Sequence, residues 1–419
     1  MTADSKLENR LKIRGVWSNP GEAGKTAPEV SAFAQKLQDA HINLVAMCFK
    51  TGGGIHWPSR LFPQAVAEGY TEFDFPAVLV SECAKRGIRV HAWFIDFMES
   101  ATGAAYHEHP EWAMRNPEGG TTASEALRGR TYHSVWMCPA QRPGYADQWL
   151  IPLMAEFAER YDVEAVHHDY IRYPGDLAPD RYCFCDYCLR EIPRFAGHVT
   201  DAFPDRPFYH DQYDRPYIES HWEQSPRVLP PNWDVLPRAM KSRFLLEGSS
   251  FPGGRYDLDY FFYRYRTHAI TRFAREAAEA VRAAKPGMLI SAALFKNAVQ
   301  SGRFIGQDWQ TFGPWVDIAM PMDYRDHYPG DFDTYMILLA ESIEQQKEWA
   351  RDYRSLWPGF AINQLFRDAE PSPERFHRTV DCIRNTGVEG ICLFSSGLLT
   401  RYDLWTDVRE GFARDVEKD

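Results

Sequence analysis

The chain has no apolar run near the roughly 18 residues that a membrane span needs. Its opening, MTADSKLENRLKIRG, holds no hydrophobic segment of the secretory kind. Both absences read as a cytoplasmic protein with no membrane partner. Positive charge is in deficit: 47 Lys and Arg stand against 58 Asp and Glu, for a formal charge of −11. A phosphate backbone is held by Lys and Arg, so nucleic acid is excluded as a partner. Cysteine is scarce, eight in 419 residues, too few for a disulfide scaffold. Low-complexity tracts are absent. So is a Gly-rich phosphate turn, because KTGGGIHWPSR carries Pro58 and aromatics where a helix would have to begin.

What is present is an ordered globular composition, 44% hydrophobic and 14% aromatic. The 13 Trp and 21 Tyr, though mostly core material by default, also offer flat apolar faces with a polar edge, as a sugar ring requires. Runs of strand length recur at Lys12 to Asn19, Ile42 to Lys50, Ile88 to Phe97, Val163 to Tyr170, Met288 to Phe295, Val316 to Tyr324, Leu356 to Asn363 and Val388 to Ser396. Amphipathic stretches such as APEVSAFAQKLQDA and DTYMILLAESIEQQKEWARDY lie between them. Eight βα units predict an α/β chain folded as a (β/α)8 TIM barrel over residues 1–419, in preference to an open doubly wound sheet. Long insertions are expected at 99–144 after the third strand and at 176–255 after the fourth. Both leave the strand ends where barrel active sites are built. Self-association into a homo-oligomer is left open.

Three of the cysteines crowd into YCFCDYCLRE, and Cys138 lies in the preceding insertion. Cys138, Cys183, Cys185 and Cys188 match a closed tetrahedral structural zinc site, which leaves no position for a reacting water. Free thiols and an iron–sulfur cluster are the alternatives.

The densest chemistry is VEAVHHDYIRYPG at the end of the fourth strand. Side chains alternate along a strand, so His167 and Asp169 share the inward face and His168 packs outward. Arg172, just beyond, is placed to hold the Asp169 carboxylate ionised. Glycoside hydrolysis usually needs a second carboxyl group. Asp323 at the sixth strand ranks first, although its parity is opposite to that of Met322 and Tyr324, and Asp96 at the third ranks second. His91, Trp93, His167, Tyr170, Arg172, Tyr324, Trp17 and Asn363 are the expected substrate contacts.

At these residues a family comes into view. RGVWSN, VHAWF, YDVEAVHHDYIRYP, VDIAMPMDY and GICLFSS resemble, in order, the blocks of the glycosyl-hydrolase-like family ten proteins. The resemblance implies a TIM-barrel glycosidase with a functional Asp at Asp169. Pro321, Met322 and Tyr324 meet that family's sixth-strand block, and Asp323 fills its variable position. The cysteine spacing is similar to the zinc cluster of family forty-two β-galactosidases, whose Asn-Glu pair is missing from the fourth strand here. The expected activity is therefore carboxylate-based hydrolysis of glycosidic bonds in an oligosaccharide or polysaccharide fragment. Asp169 is expected as nucleophile or charge stabiliser, and Asp323 or Asp96 as acid/base. The competing readings are a metal-dependent hydrolase using His91, His167 and Asp169, and a carbohydrate-binding protein without catalysis.

Overall fold

The alternation of short apolar runs with amphipathic stretches folds as eight β/α units in the computed structural model, which describes residues 10–127, 130–131, 134–175, 177–197, 233–247 and 258–416. The first half runs β1 (Ile13–Ser18), α1 (Ala27–Asp39), β2 (Leu44–Thr51), α2 (Phe75–Ala84), β3 (Arg89–Ile95), α3 (Ile151–Arg160), β4 (Ala165–Asp169) and α4 (Leu258–Ala284). The second half runs β5 (Leu289–Phe295), α5 (Ala298–Ile305), β6 (Ile318–Met322), α6 (Phe332–Trp349), β7 (Gly359–Ala361), α7 (Pro373–Asn385), β8 (Gly390–Phe394) and α8 (Trp405–Phe412). Successive strands pair in parallel, and β1 pairs with both β2 and β8. An open doubly wound sheet would keep two edges; this one closes into a (β/α)8 barrel.

Closure buries both faces of each strand, which is why the strands read as nearly continuous apolar runs. The outward residues, among them Val16, Val45, Val90, Val166, Ile290 and Leu393, join the helices in one large core. The inward residues Ile13, Trp17, Leu44, Ala46, Cys48, Trp93, Ile318, Met320, Trp357 and Cys392 form a second core inside the barrel. Two indoles fit there because glycines face them. A Cβ on Gly359 would lie 2.5 Å from the Trp17 ring, and one on Gly390 equally close to Trp357. Helix starts are capped by side chains, as where Asp331 accepts from the Thr334 N–H at 2.9 Å before α6.

The strand expected over Leu356 to Asn363 is broken. Pro358 has no N–H to give to the ladder, so Ser355–Leu356 pairs with β6, β7 begins at Gly359, and the chain turns helical at Ile362–Leu365. After β3 the chain forms an antiparallel ladder of Met98–Ser100 with Ser134–Trp136. After β4 come the helices Asp186–Gly197 and Arg238–Glu247, while residues 198–232 and 248–257 of that stretch lie outside the described residues. The buried Lys50 fastens the first of these loops to the mouth: its Nζ sits 2.6 Å from Glu99 Oε1 and donates to the Ile95 carbonyl at 2.6 Å. Tyr145 adds bonds from its hydroxyl to the Asp96 carbonyl and to Glu99. Among the described residues, no helix is long and apolar enough to cross a membrane.

Candidate active site at the barrel mouth

Asp169 is the last residue of β4 and points inward, 8% exposed. Its Oδ1 accepts from the Tyr170 backbone N–H at 2.7 Å and lies 3.7 Å from Arg172 Nη1. Tyr170 adopts a left-handed φ of 54°, and the tight turn it makes brings Arg172 back over the mouth. There the guanidinium lies 4.2 Å from the centre of the Tyr170 ring, 4.9 Å from Phe295 and 5.7 Å from Trp136. Three effects compete for the carboxyl. Burial raises its pKa, Arg172 and the Tyr170 N–H lower it, and the charge of Asp96 raises it again. Burial wins, and the group titrates at about 6. Arg172 favours the charged form, as expected, but a partly aligned ion pair does not offset the whole loss of water. The Trp93 indole N–H also bears on the carboxyl and holds its pKa down, short of a well-aligned hydrogen bond.

Tyr324 follows the end of β6. Its phenol is pushed up by burial and then by the Asp169 charge. The Tyr324 ring lies 5.7 Å from Phe394 and stacks at 5.6 Å on His327.

The structure does not bring Asp323 to the mouth. Its carboxyl is fully buried in the helical layer, where Oδ1 accepts from Tyr328 Oη at 2.5 Å and from Gln346 Nε2 of α6 at 2.8 Å. This is the outward parity of its strand, continued past the end. Burial raises it to about 7, against those two hydrogen bonds and the Lys296 charge. Asp96 also lies behind the wall, with Oδ2 2.9 Å from His168 Nδ1 and both side chains fully buried. It touches Asp169 through the backbone, its N–H donating to the Asp169 carbonyl at 2.8 Å.

His91, His167 and Trp17 were expected to meet substrate; they form the barrel floor instead. Trp17 Nε1 donates to His167 Nε2 at 2.9 Å, His167 Nδ1 lies 2.9 Å from Ser291 Oγ, and Ser291 Oγ lies 3.0 Å from His91 Nδ1. His91 Nε2 ends the chain 3.5 Å from Glu164. An indole N–H can only donate, so His167 Nε2 is the acceptor and Nδ1 carries the proton. Ser291 then donates to His91, whose Nε2 holds its proton toward Glu164. Burial lowers the pKa of both histidines, which keeps them neutral. Both nitrogens of His167 and Nδ1 of His91 are thereby hydrogen-bonded, while His91 Nε2 lies 3.5 Å from Glu164 without a well-aligned bond. Trp93 packs in the same inner core at 4% exposure. Asn363 is half-buried on the short helix after β7.

The four cysteines come together. All are buried, none is in a disulfide, and the four sulfurs lie within 4.8 Å of one another. Cys138 Sγ is 3.6 Å from Cys188 Sγ and 3.8 Å from Cys185 Sγ. A tetrahedral ion with sulfur at about 2.3 Å has edges of about 3.8 Å. The donor set therefore fits a metal ion, held between the loop after β3 and the loop after β4.

Comparison with known proteins agrees with the resemblance read from the sequence. Residues 12–192 match the family model described as Glycosyl hydrolase-like 10. Glycosyl hydrolase DigH from Escherichia coli K12 is 25% identical over 179 residues, covering 36% of this chain and 36% of that protein, so the chain spans about a third of the length of this curated relative. The glycoside hydrolase domain of PgaB (BpsB) from Bordetella bronchiseptica superposes with a TM-score of 0.63 at 13% identity, covering 96% of this chain and 98% of that one. The catalytic domain of β-amylase from Paenibacillus polymyxa gives 0.59 at 11% identity, covering 97% and 99%. The β-galactosidase from Rahnella sp. R3 gives 0.61 at 15% identity, covering 97% and 56%. These structural likenesses are likenesses of fold.

Proposed function

We propose that this barrel hydrolyses glycosidic bonds in an oligosaccharide or polysaccharide fragment, with Asp169 as a carboxyl that exchanges a proton with the reacting oxygen. The observation that carries the reading is an inward carboxyl at the exit of β4, nearly buried and titrating at about 6, in a mouth walled by Tyr170, Tyr324 and Phe394. A carboxyl at that pKa is partly protonated near neutrality and suits general acid–base work better than a permanently charged nucleophile does. The aromatic rings supply flat faces for sugar rings. The matched family supports the same class of reaction.

The test is a glycan panel run with wild type and Asp169→Asn. Wild type should release reducing ends from at least one member, and the variant should lose roughly 100- to 10,000-fold of that rate with its melting temperature unchanged. Full activity in Asp169→Asn overturns the assignment.

Zinc is the ion we assign to Cys138, Cys183, Cys185 and Cys188, because four thiolates at tetrahedral spacing suit it and leave it no open position. Its contribution is to tie the two mouth loops together, not to take part in hydrolysis. Elemental analysis should find one zinc per chain, absent from Cys185→Ser, whose mouth loops should become sensitive to protease; a full complement of zinc in that variant contradicts the assignment.

A further inference from the structure

Among the described residues Arg14, Arg172, Arg266, Arg325 and Arg384 are buried, and four of them show how this fold treats a structural guanidinium. Arg14 donates to the His41 and Leu11 carbonyls at 2.7 and 2.8 Å, Arg325 to Asp368 at 2.7 Å, Arg384 to Asp415 at 2.6 and 3.0 Å, and Arg266 to the Pro179 carbonyl. Arg172 is the exception. Its side chain is 10% exposed, yet Nε and Nη1 have no hydrogen-bond partner, and its ion-pair contact is the 3.7 Å approach to Asp169, too long for a hydrogen bond. A buried donor without an acceptor is costly, and native folds keep one mainly where water, an ion or a ligand completes it. What holds this cation in place is aromatic. The rings of Tyr170 after β4, Phe295 at the end of β5 and Trp136 in the loop after β3 gather around it at 4.2, 4.9 and 5.7 Å. Cation–π contacts fix the guanidinium over the mouth and leave its N–H donors unspent.

Charge balance names the acceptor. An acid must carry its proton before it can give it up, and once Asp169 is protonated the guanidinium loses its ion-pair partner. No second cation is among the described contacts of Arg172, so one negative charge completes the site. The planar fork matches the two oxygens of a carboxylate, the group it already faces in Asp169.

We infer that Arg172 binds a carboxylate carried by the substrate, which makes the preferred glycan an acidic one. The inference rests on the glycoside hydrolase reading and adds a substrate class to it. The substrate carboxylate takes the place of the ionised Asp169 beside the guanidinium, so an acidic sugar and a protonated Asp169 favour each other. A neutral sugar leaves the cation unpaired when the acid is ready to react.

A uronic acid and a sugar with an ether-linked acid group both present this chemistry, and the test separates them. Calorimetry reads binding without turnover, on oligosaccharides of glucuronic acid against their carboxyl-reduced forms, on carboxymethylated glucan against plain glucan, and on sulfated glucan. Wild type should bind the carboxylated member of one pair roughly 10- to 100-fold more tightly than its neutral counterpart, the gain expected of hydrogen bonds between charged groups. The pair that shows it identifies the source. Arg172→Gln should erase that preference while binding the neutral member as wild type does, and Arg172→Lys, which keeps the charge without the fork, should retain part of it. Asp169→Asn should bind the carboxylated chain more tightly than wild type, because an amide does not compete for the guanidinium. A merely structural arginine would give no such rise. Equal affinities within every pair in wild type, a preference that survives Arg172→Gln, no rise in Asp169→Asn, or tighter binding of the sulfated glucan overturns the inference. If only neutral glycans are cleaved in the activity panel, the hydrolase reading stands and this subsite falls. If a carboxylated chain binds through Arg172 and no glycan is cleaved, the subsite stands and the hydrolase reading falls.

Discussion

Asp169 and Asp323 sit at the ends of two barrel strands, both nearly or fully buried, and burial raises the pKa of both, to about 6 and about 7. Their surroundings differ completely. Asp169 continues the inward face of β4 and looks across an aromatic mouth, with Arg172 and Tyr324 beside it. Asp323 continues the outward face of β6 and is locked to Tyr328 and Gln346 behind the wall. A perturbed carboxyl is therefore a weak marker of function by itself. The face of the strand decides, and one residue of register separates a carboxyl that faces the mouth, the proposed reacting group, from one packed in the helical layer.

The comparison is broken most directly by exchanging each carboxyl for an amide. Asp169→Asn should abolish most turnover, whereas Asp323→Asn should keep kcat/KM within about twofold on the same glycan, since it changes no group at the mouth. Equal losses in the two variants would remove the distinction drawn here.

A smaller effect tests the floor beneath Asp169. Ser291→Ala leaves the His167 Nδ1 proton and the His91 Nδ1 lone pair without partners in a dry core, at a cost of about 1–3 kcal/mol in denaturant titration. The neutral histidines also set a pH dependence. Folded, they resist protonation; unfolded, they take up protons at about 6.5, so the stability they contribute is lost as pH falls through that value. If either ring instead met substrate, Ser291→Ala would change KM more than stability.

The smallest effect comes from the wall carboxyl. The Asp323 pKa is raised on folding, so the folded state holds its proton more tightly than the unfolded one. That contribution is complete below about 4 and lost as pH rises through about 7. Oδ2 has no partner, and an amide N–H2 can take its place while the amide oxygen keeps both bonds to Oδ1. Asp323→Asn should therefore gain on the order of 1 kcal/mol over wild type at pH 8 and nothing at pH 5, measured by thermal melts at the two pH values. A loss at pH 8 would mean that the ionised form is needed where it stands.

Much of this was legible in the chain itself. Eight apolar runs separated by amphipathic stretches point to the closed barrel, and parity within VEAVHHDYIRYPG separates His168 from His167 and Asp169. Parity gives a face but not a depth. His167 lies two residues below Asp169, about 7 Å further into the barrel, and that step takes it from the mouth to the floor. The same blind spot made Trp17 and His91 look like substrate contacts. The cysteine cluster was readable because three of its four members lie within six residues, so that the fold had only Cys138 to bring.

The central claim, that the inward carboxyl of β4 exchanges the proton of the reaction, is tested most directly by the pH dependence of kcat/KM for wild type and Asp169→Asn on one cleaved glycan. The account predicts a wild-type profile with a limb near pH 6 and a residual rate in the variant from which that limb has vanished. A variant that keeps both the wild-type rate and the limb would contradict it.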